Sequence, residues 1–195
     1  MTPSRKPKDR APRTWKAPVR RKPAHGLVIV HTGDGKGKST AAFGTALRML
    51  GQGGRVAVVQ FIKGSWKTGE EAAARKFGNR FRFYAMGEGF TWTTKDYQRD
   101  VAAARRAWKK CLSLLKDKTH QLVIFDEINY CLKYNFLKTA GVLAALRRKP
   151  AAKHVILTGN GAPPALIRFA DLVTEMRCLK HPFQKGILAQ PGIDY

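Results

Sequence analysis

Acidic residues are scarce. The 195-residue chain carries 13 Asp and Glu against 37 Lys and Arg, a formal net charge of +24. Such an excess raises nucleic acid as a partner; it equally suits an anionic small ligand steered in by long-range attraction. Cysteine is scarce too. Cys111, Cys131 and Cys178 stand far apart with no Cys-x-x-Cys pair, which argues against a disulfide framework or a zinc site and predicts buried thiols in a reducing cytoplasm. The five histidines show no ligand spacing, so no structural metal is expected. No apolar run approaches the ~20 residues of a membrane span, and the first residues hold no apolar stretch of the kind a signal peptide needs. No Ser or Cys stands with a His in a recognisable nucleophile arrangement. Catalysis would therefore work by positioning two substrates and stabilising a leaving group.

What is present is organised around residues 27–40. An apolar run, Leu27-Val28-Ile29-Val30-His31, breaks into Thr32-Gly33-Asp34-Gly35-Lys36-Gly37-Lys38-Ser39-Thr40, just before a helical pattern. Strand, glycine-rich loop and helix in that order make a phosphate-binding loop. Glycines let successive N–H groups converge on one anion, and the next helix aims its unpaired N–H groups at the same point. Gly33, Asp34, Gly35, Lys36, Gly37, Lys38, Ser39 and Thr40 are the candidate phosphate contacts, with Lys38 on phosphate oxygens and the Ser39 hydroxyl on Mg²⁺. The usual pattern has a glycine five residues before Gly37; here that position is Thr32. Gly33 and Gly35 are expected to do its work from shifted positions. A glycine-rich turn with incidental lysines is the bland alternative.

Residues 1–25 hold five of the ten prolines and nine Lys and Arg against Asp9 alone, with Trp15 as the main large apolar side chain. Such a segment cannot bury enough surface to order itself. It reads as a basic arm, either a plain tail or one that folds over a site or a partner subunit. Residues 26–195 read as one domain. Strands are predicted at 27–31, 55–61, 80–85, 122–126, 153–158 and 172–176. Helices are predicted at 38–50, 68–77, 95–116 (capped by Thr94) and 137–148, with a short one ending at Phe169. Residues 179–195 read as an ordered surface tail. Strands alternating with helices imply right-handed βαβ units, hence an α/β fold with a mostly parallel sheet and helices on both faces. Ligands in such sheets bind at the carboxyl ends of the strands, where loops 32–39, 61–68, 86–94 and 126–130 leave.

Asp126-Glu127 ends an apolar strand, where a phosphate loop needs its acidic partner. A carboxylate there can hold Mg²⁺ directly or through water; the other reading is an acidic pair at a helix N-terminus. The loop Gly87-Glu88-Gly89-Phe90-Thr91-Trp92 places two large aromatics one residue apart. They either close a core or wall a flat ligand from water. Lys63 in the neighbouring loop, which also holds Trp66, is a candidate for phosphate or a carboxylate.

These stretches together resemble the ATP:corrinoid adenosyltransferases of the P-loop type. The resemblance is carried by residues 31–44, Val59-Gln60-Phe61-Ile62-Lys63-Gly64, Gly89-Phe90-Thr91-Trp92 and Asp126-Glu127. It continues in Thr158-Gly159 with Gly161-Ala162-Pro163, and in Lys180-His181 with Gly192-Ile193-Asp194-Tyr195. It spans residues 26–195, and the shifted phosphate loop is the family's own form. It implies a P-loop NTPase fold with a RecA-like sheet, a homodimer in the cytoplasm, and transfer of the 5′-deoxyadenosyl group of ATP to the Co(I) of a reduced corrinoid with release of triphosphate. Catalytic roles fall to Lys38, Phe90 and Trp92, the two aromatics pressing on the lower corrin face. Mg²⁺ falls to Ser39, Asp126 and Glu127. A flavodoxin-like reductase is implied as electron donor, and no membrane or nucleic-acid role is expected. A RecA-like ATPase acting on nucleic acid and a small-molecule P-loop kinase remain alternatives at this point; neither accounts for the Phe90/Trp92 loop.

Overall fold

The computed structural model describes residues 25–62, 68–87 and 96–194. Trp15 and most of the basic arm, Lys63 and Trp66, and the loop residues Glu88, Phe90 and Trp92 lie outside them. The elements run β1 (Val28–Thr32), α1 (Lys38–Gly51), β2 (Val56–Gln60), α2 (Gly69–Lys76), β3 (Phe81–Ala85), α3 (Tyr97–Lys116), β4 (Leu122–Asp126), α4 (Ile128–Lys133), α5 (Thr139–Arg147), β5 (His154–Thr158), α6 (Pro164–Phe169) and β6 (Leu172–Glu175). Every predicted strand is found, each within one residue at either end.

The sheet order is β3-β2-β4-β5-β1-β6, and every pairing is parallel. The expected α/β fold, a parallel sheet with helices on both faces, is what the chain adopts. Side chains alternate across the strands and divide the core in two. Val28, Val30, Val59, Val123, Phe125, Val155 and Leu157 face α3, α4, α5 and α6. Val56, Val58, Ile124 and Ile156 face α1 and α2. Trp108 of α3 meets Phe125 edge-on at 5.9 Å between centroids, which fixes the long helix against the middle of the sheet.

Four local readings change. Asp96 caps α3, its carboxylate accepting the Arg99 N–H at 3.0 Å; Thr94 lies outside the described residues. The short helix α4 follows the acid pair where a loop was expected, because the chain turns sharply at Glu127 (φ 64°) and then buries Ile128, Cys131 and Leu132. α5 starts at Thr139 instead of Leu137, whose N–H is taken by the Cys131 carbonyl at 3.1 Å. Cys111 and Cys131 are buried free thiols as expected; Cys178 is half-exposed. No helix among the described residues is long and apolar enough to cross a membrane.

Lys153 is a charged residue used as a structural part. It is 4% exposed, and its ammonium donates to the Leu114 carbonyl at 2.6 Å and to the Asp117 carbonyl. It thereby closes the C-terminal end of α3, where helix carbonyls lack partners. Burial pulls its pKa down. Lys153→Met keeps the apolar stem but leaves those carbonyls without their donor. We expect it to cost about 1–3 kcal/mol in urea unfolding, against less than about 0.5 kcal/mol for Lys116→Met on the exposed side of the same helix.

Candidate active site

The loop after β1 lies against another stretch of backbone. Met176 N–H donates to the Thr32 carbonyl and Gly35 N–H donates to the Met176 carbonyl, both at 2.8 Å. A Cβ on Gly33 would stand 2.2 Å from the Met176 carbonyl oxygen, and Gly33 has φ +98°; a Cβ on Gly35 would stand 2.7 Å from the Arg177 carbonyl carbon. Only glycine fits either place. This explains the missing glycine at position 32. Thr32 still belongs to the strand, paired with Glu175, and its hydroxyl accepts the Ala162 N–H at 3.1 Å. α1 begins at Lys38, and its N-cap residue Gly37 offers no capping side chain. The first-turn N–H groups therefore stay open to an anion. Lys38 folds back onto its own loop, donating to the Gly35 carbonyl at 2.6 Å. Lys36 pairs with Asp194 in the C-terminal tail.

The acid pair arrives from β4. Gln60 and Asp126 are opposite one another in the β2–β4 register, and Gln60 Nε2 donates to Asp126 Oδ2 at 3.0 Å. β5 lies between β4 and β1, and its last residue, paired with His31 of β1, bonds to the acid pair. The buried Thr158 hydroxyl donates to Asp126 Oδ1 at 2.8 Å and accepts the Glu127 N–H at 2.9 Å. That pair of bonds holds Glu127 in a left-handed backbone conformation unusual for a non-glycine residue. Glu127 Oε2 is buried and has no hydrogen-bond partner. Burial pushes the Glu127 carboxyl up to about 8, helped by the Asp126 charge and opposed by Lys38. Asn129, fully buried, donates to the Gly159 carbonyl at 2.8 Å. His31 is buried beneath the loop, and burial lowers its pKa.

A cleft of about 540 Å³ opens between these parts. Lys36, Gly37, Lys38, Ser39, Thr40 and Glu127 line it, with Gly69, Glu70 and Ala73 of α2 and the tail residues Gly192, Ile193 and Asp194. Gly33 and Gly35 stand behind, against residues 176–177. Asp34 Oδ1 accepts the Cys178 N–H at 3.1 Å, a bond that lowers its pKa and ties the loop to the tail. Asp126 sits behind Glu127 and does not line the cleft. Phe90 and Trp92 lie outside the described residues.

The donor set suits a hard cation. Ser39 and Glu127 line one cleft, and no group of three or more His, Cys, Asp or Glu among the described residues is placed to hold a metal. Mg²⁺, which keeps several waters and takes one or two protein oxygens beside phosphate, fits such a site. The buried thiols supply no nucleophile: burial pushes Cys131 up to about 12 and raises Cys111 as well. Sequence reasoning gave no role to Thr158, Gln60, Asn129 or Asp194. Polar residues closing apolar strands, at 60 and 158, were the available signal.

The raised Glu127 pKa has a measurable consequence. A carboxyl whose pKa is raised from 4.5 to about 8 on folding binds a proton in the native chain that the unfolded chain has lost. Stability therefore falls as pH rises between those values. Urea unfolding of Glu127→Gln should lack this slope, so the variant gains on the wild type from about pH 5 to pH 8; parallel profiles would refute the burial of that charge.

The loop after β1, the start of α1 and Glu127 thus meet at one cleft. The profile of the family ATP:corrinoid adenosyltransferase BtuR/CobO/CobP matches residues 24–195. A corrinoid adenosyltransferase of Pseudomonas aeruginosa is 51% identical over 170 residues, covering 87% of this chain and 84% of that protein. One of Escherichia coli is 44% identical, covering 87% and 86%. The fold of a RadB recombinase covers 82% of this chain and 78% of that one, with 19% identity and a TM-score of 0.49. With a match that begins just ahead of β1 and runs through the tail over the phosphate loop, the chain belongs to the ATP:corrinoid adenosyltransferase family.

Proposed function

We propose that the cleft binds ATP and that the chain transfers the 5′-deoxyadenosyl group to the Co(I) of a reduced corrinoid, releasing triphosphate. Family membership over residues 24–195 is the observation that carries this reading. The cleft supports it by offering cationic and open N–H groups and, among the described residues, no thiol or imidazole.

The balance is simple. Co(I) supplies an electron pair to C5′, a Co–C bond forms as the C5′–O bond breaks, and cobalt ends formally as Co(III). The oxygen that leaves keeps its pair and departs as part of the triphosphate. No proton moves in that step, so the chain needs no general base. What it must do is hold a leaving group whose charge grows. Lys36, Lys38 and the open N–H groups at the start of α1 do so in this reading, with Gly33, Asp34 and Gly35 holding the loop's shape and Ser39 and Thr40 at its helix end. Ser39 and Glu127 would hold Mg²⁺, with Asp126 orienting the second through Thr158. The ion, when bound, neutralises phosphate charge. Phe90 and Trp92 take the lower face of the corrin, where they exclude a lower cobalt ligand and ease reduction to Co(I). A homodimer in the cytoplasm, a flavodoxin-like electron donor and the division into a basic arm (1–25) and one catalytic domain (26–195) belong to the same reading.

Incubation with ATP, Mg²⁺, hydroxocobalamin and a strong reductant tests it. The expected products are a light-sensitive alkylcobalt species and one triphosphate per corrinoid; ADP and phosphate with an unchanged corrinoid spectrum would overturn the proposal. Trp92→Ala should depress turnover from Co(II) with a flavodoxin-type donor far more than turnover from chemically pre-reduced Co(I). Equal losses in the two assays would remove the aromatic loop from the reduction step.

A further inference from the structure

Asp194, in the tail motif, is the feature that the adenosyl-transfer reading leaves unused. Lys36 sits in the middle of the phosphate loop, yet its ammonium pairs with a carboxylate 158 positions along the chain. That carboxylate is built in. Asp194 Oδ2 accepts the Gln190 N–H at 2.9 Å, and the turn is closed by Asp194 N–H and Ile193 N–H on the Gln190 carbonyl, at 2.8 and 3.2 Å. The Asp194 side chain is only 13% exposed, against 51% for Lys36. The bond from Lys36 and then that from Gln190 hold its carboxyl below the usual range.

A carboxylate is the wrong charge for the wall of a polyphosphate cleft. It competes for the lysine and repels the ligand, in a chain with few acids to place. Little apolar burial accompanies it: Ile193 is 79% and Leu188 80% exposed. The segment is held mainly by polar bonds that a better anion can exchange, the property of a locally releasable unit.

We propose that Asp194 and polyphosphate compete for Lys36, so that residues 190–194 form a strap that is released as the triphosphate moiety binds and re-engages to help expel triphosphate after transfer. This rests on the reading of the cleft as the ATP site. It gives the tail a part in turnover, since a site built to hold a leaving triphosphate must also let it go.

The test uses the full chain and inorganic triphosphate with Mg²⁺, followed by calorimetry. Asp194→Asn should bind triphosphate about twofold to fivefold more tightly, the worth of a partly exposed ion pair. In a Lys36→Met background the same substitution should change nothing. In turnover Asp194→Asn should lower KM for ATP and kcat together. Hydrogen exchange at the Gln190 amide of the wild type should quicken when triphosphate is added. Equal or weaker binding by Asp194→Asn overturns the strap, as it would if Asp194 served the cation instead. So does a gain that persists with Lys36→Met, which would mean bulk charge alone, or an unchanged Gln190 amide. A wild type that binds neither ATP nor triphosphate overturns the cleft reading itself, and is thereby distinct from wild-type binding with no gain in the variant.

Discussion

The site depends on one close approach of backbone to backbone. Residues 33–35 lie on residues 176–177 so tightly that a single Cβ at Gly33 would fall 2.2 Å from a carbonyl oxygen. Two hydrogen bonds close the contact. It extends the β1–β6 pairing past the end of the sheet, and in doing so carries the tail across the phosphate loop. β6 is a four-residue strand, largely exposed. Apolar burial alone would hold it weakly, so its position rests on pairing with β1 and on the glycines that permit the loop to meet the chain beyond it. Asp34, reaching the Cys178 amide, fastens the next step. Loop and tail are one unit, and a side chain at Gly33 would disturb both.

The second constraint is the intervening strand. Because β5 separates β4 from β1, the acid pair and the phosphate loop cannot be hydrogen-bonded neighbours in the sheet. The Thr158 hydroxyl ties the end of β5 to both acids, and Asn129, two residues past them, donates to the Gly159 carbonyl and at 3.4 Å to the His31 carbonyl of β1. An unmet polar atom in such surroundings costs about 1–3 kcal/mol. The site nevertheless keeps partnerless buried atoms on His31, Glu127 and Asn129, and a non-glycine residue with positive φ. Departures of this kind from the rules that stabilise a core gather where a ligand is meant to act.

The six strands and both faces of helices were legible because the apolar runs are short, β-branched and punctuated by glycine. The phosphate loop and the acid pair were legible because their residue order is itself the chemistry. α4 was not: six residues after a sharp turn carry no periodicity to read. Nor was the start of α5, which a single long-range hydrogen bond between residues 137 and 131 decides. Thr158 and Asn129 escaped for a related reason. Their roles are set by register between strands far apart in sequence, and nothing local marks a buried threonine as a bridge. Asp194 was visible only as part of a tail motif, since no pattern within fifteen residues of it points to Lys36.

Part of the small acidic complement, four of the thirteen Asp and Glu, gathers in one region. Asp34, Asp126, Glu127 and Asp194 all stand around the phosphate loop, and their roles differ. The first ties the tail, the second orients, the third faces the cleft and the last holds Lys36. With a net charge of +24, attraction for a polyphosphate is easily had, and adding cations would gain little. What such a chain has to build in is restraint. A loop of unopposed lysines and helix N–H groups would bind its leaving group more tightly as charge develops on it, and would then keep it. Carboxylates set against those cations lower the affinity for the departing anion while leaving the backbone donors in place. Asp194 is the acid of the four that is set against such a cation, and in the adenosyl-transfer reading, whose product is the whole triphosphate, its place answers that physical need.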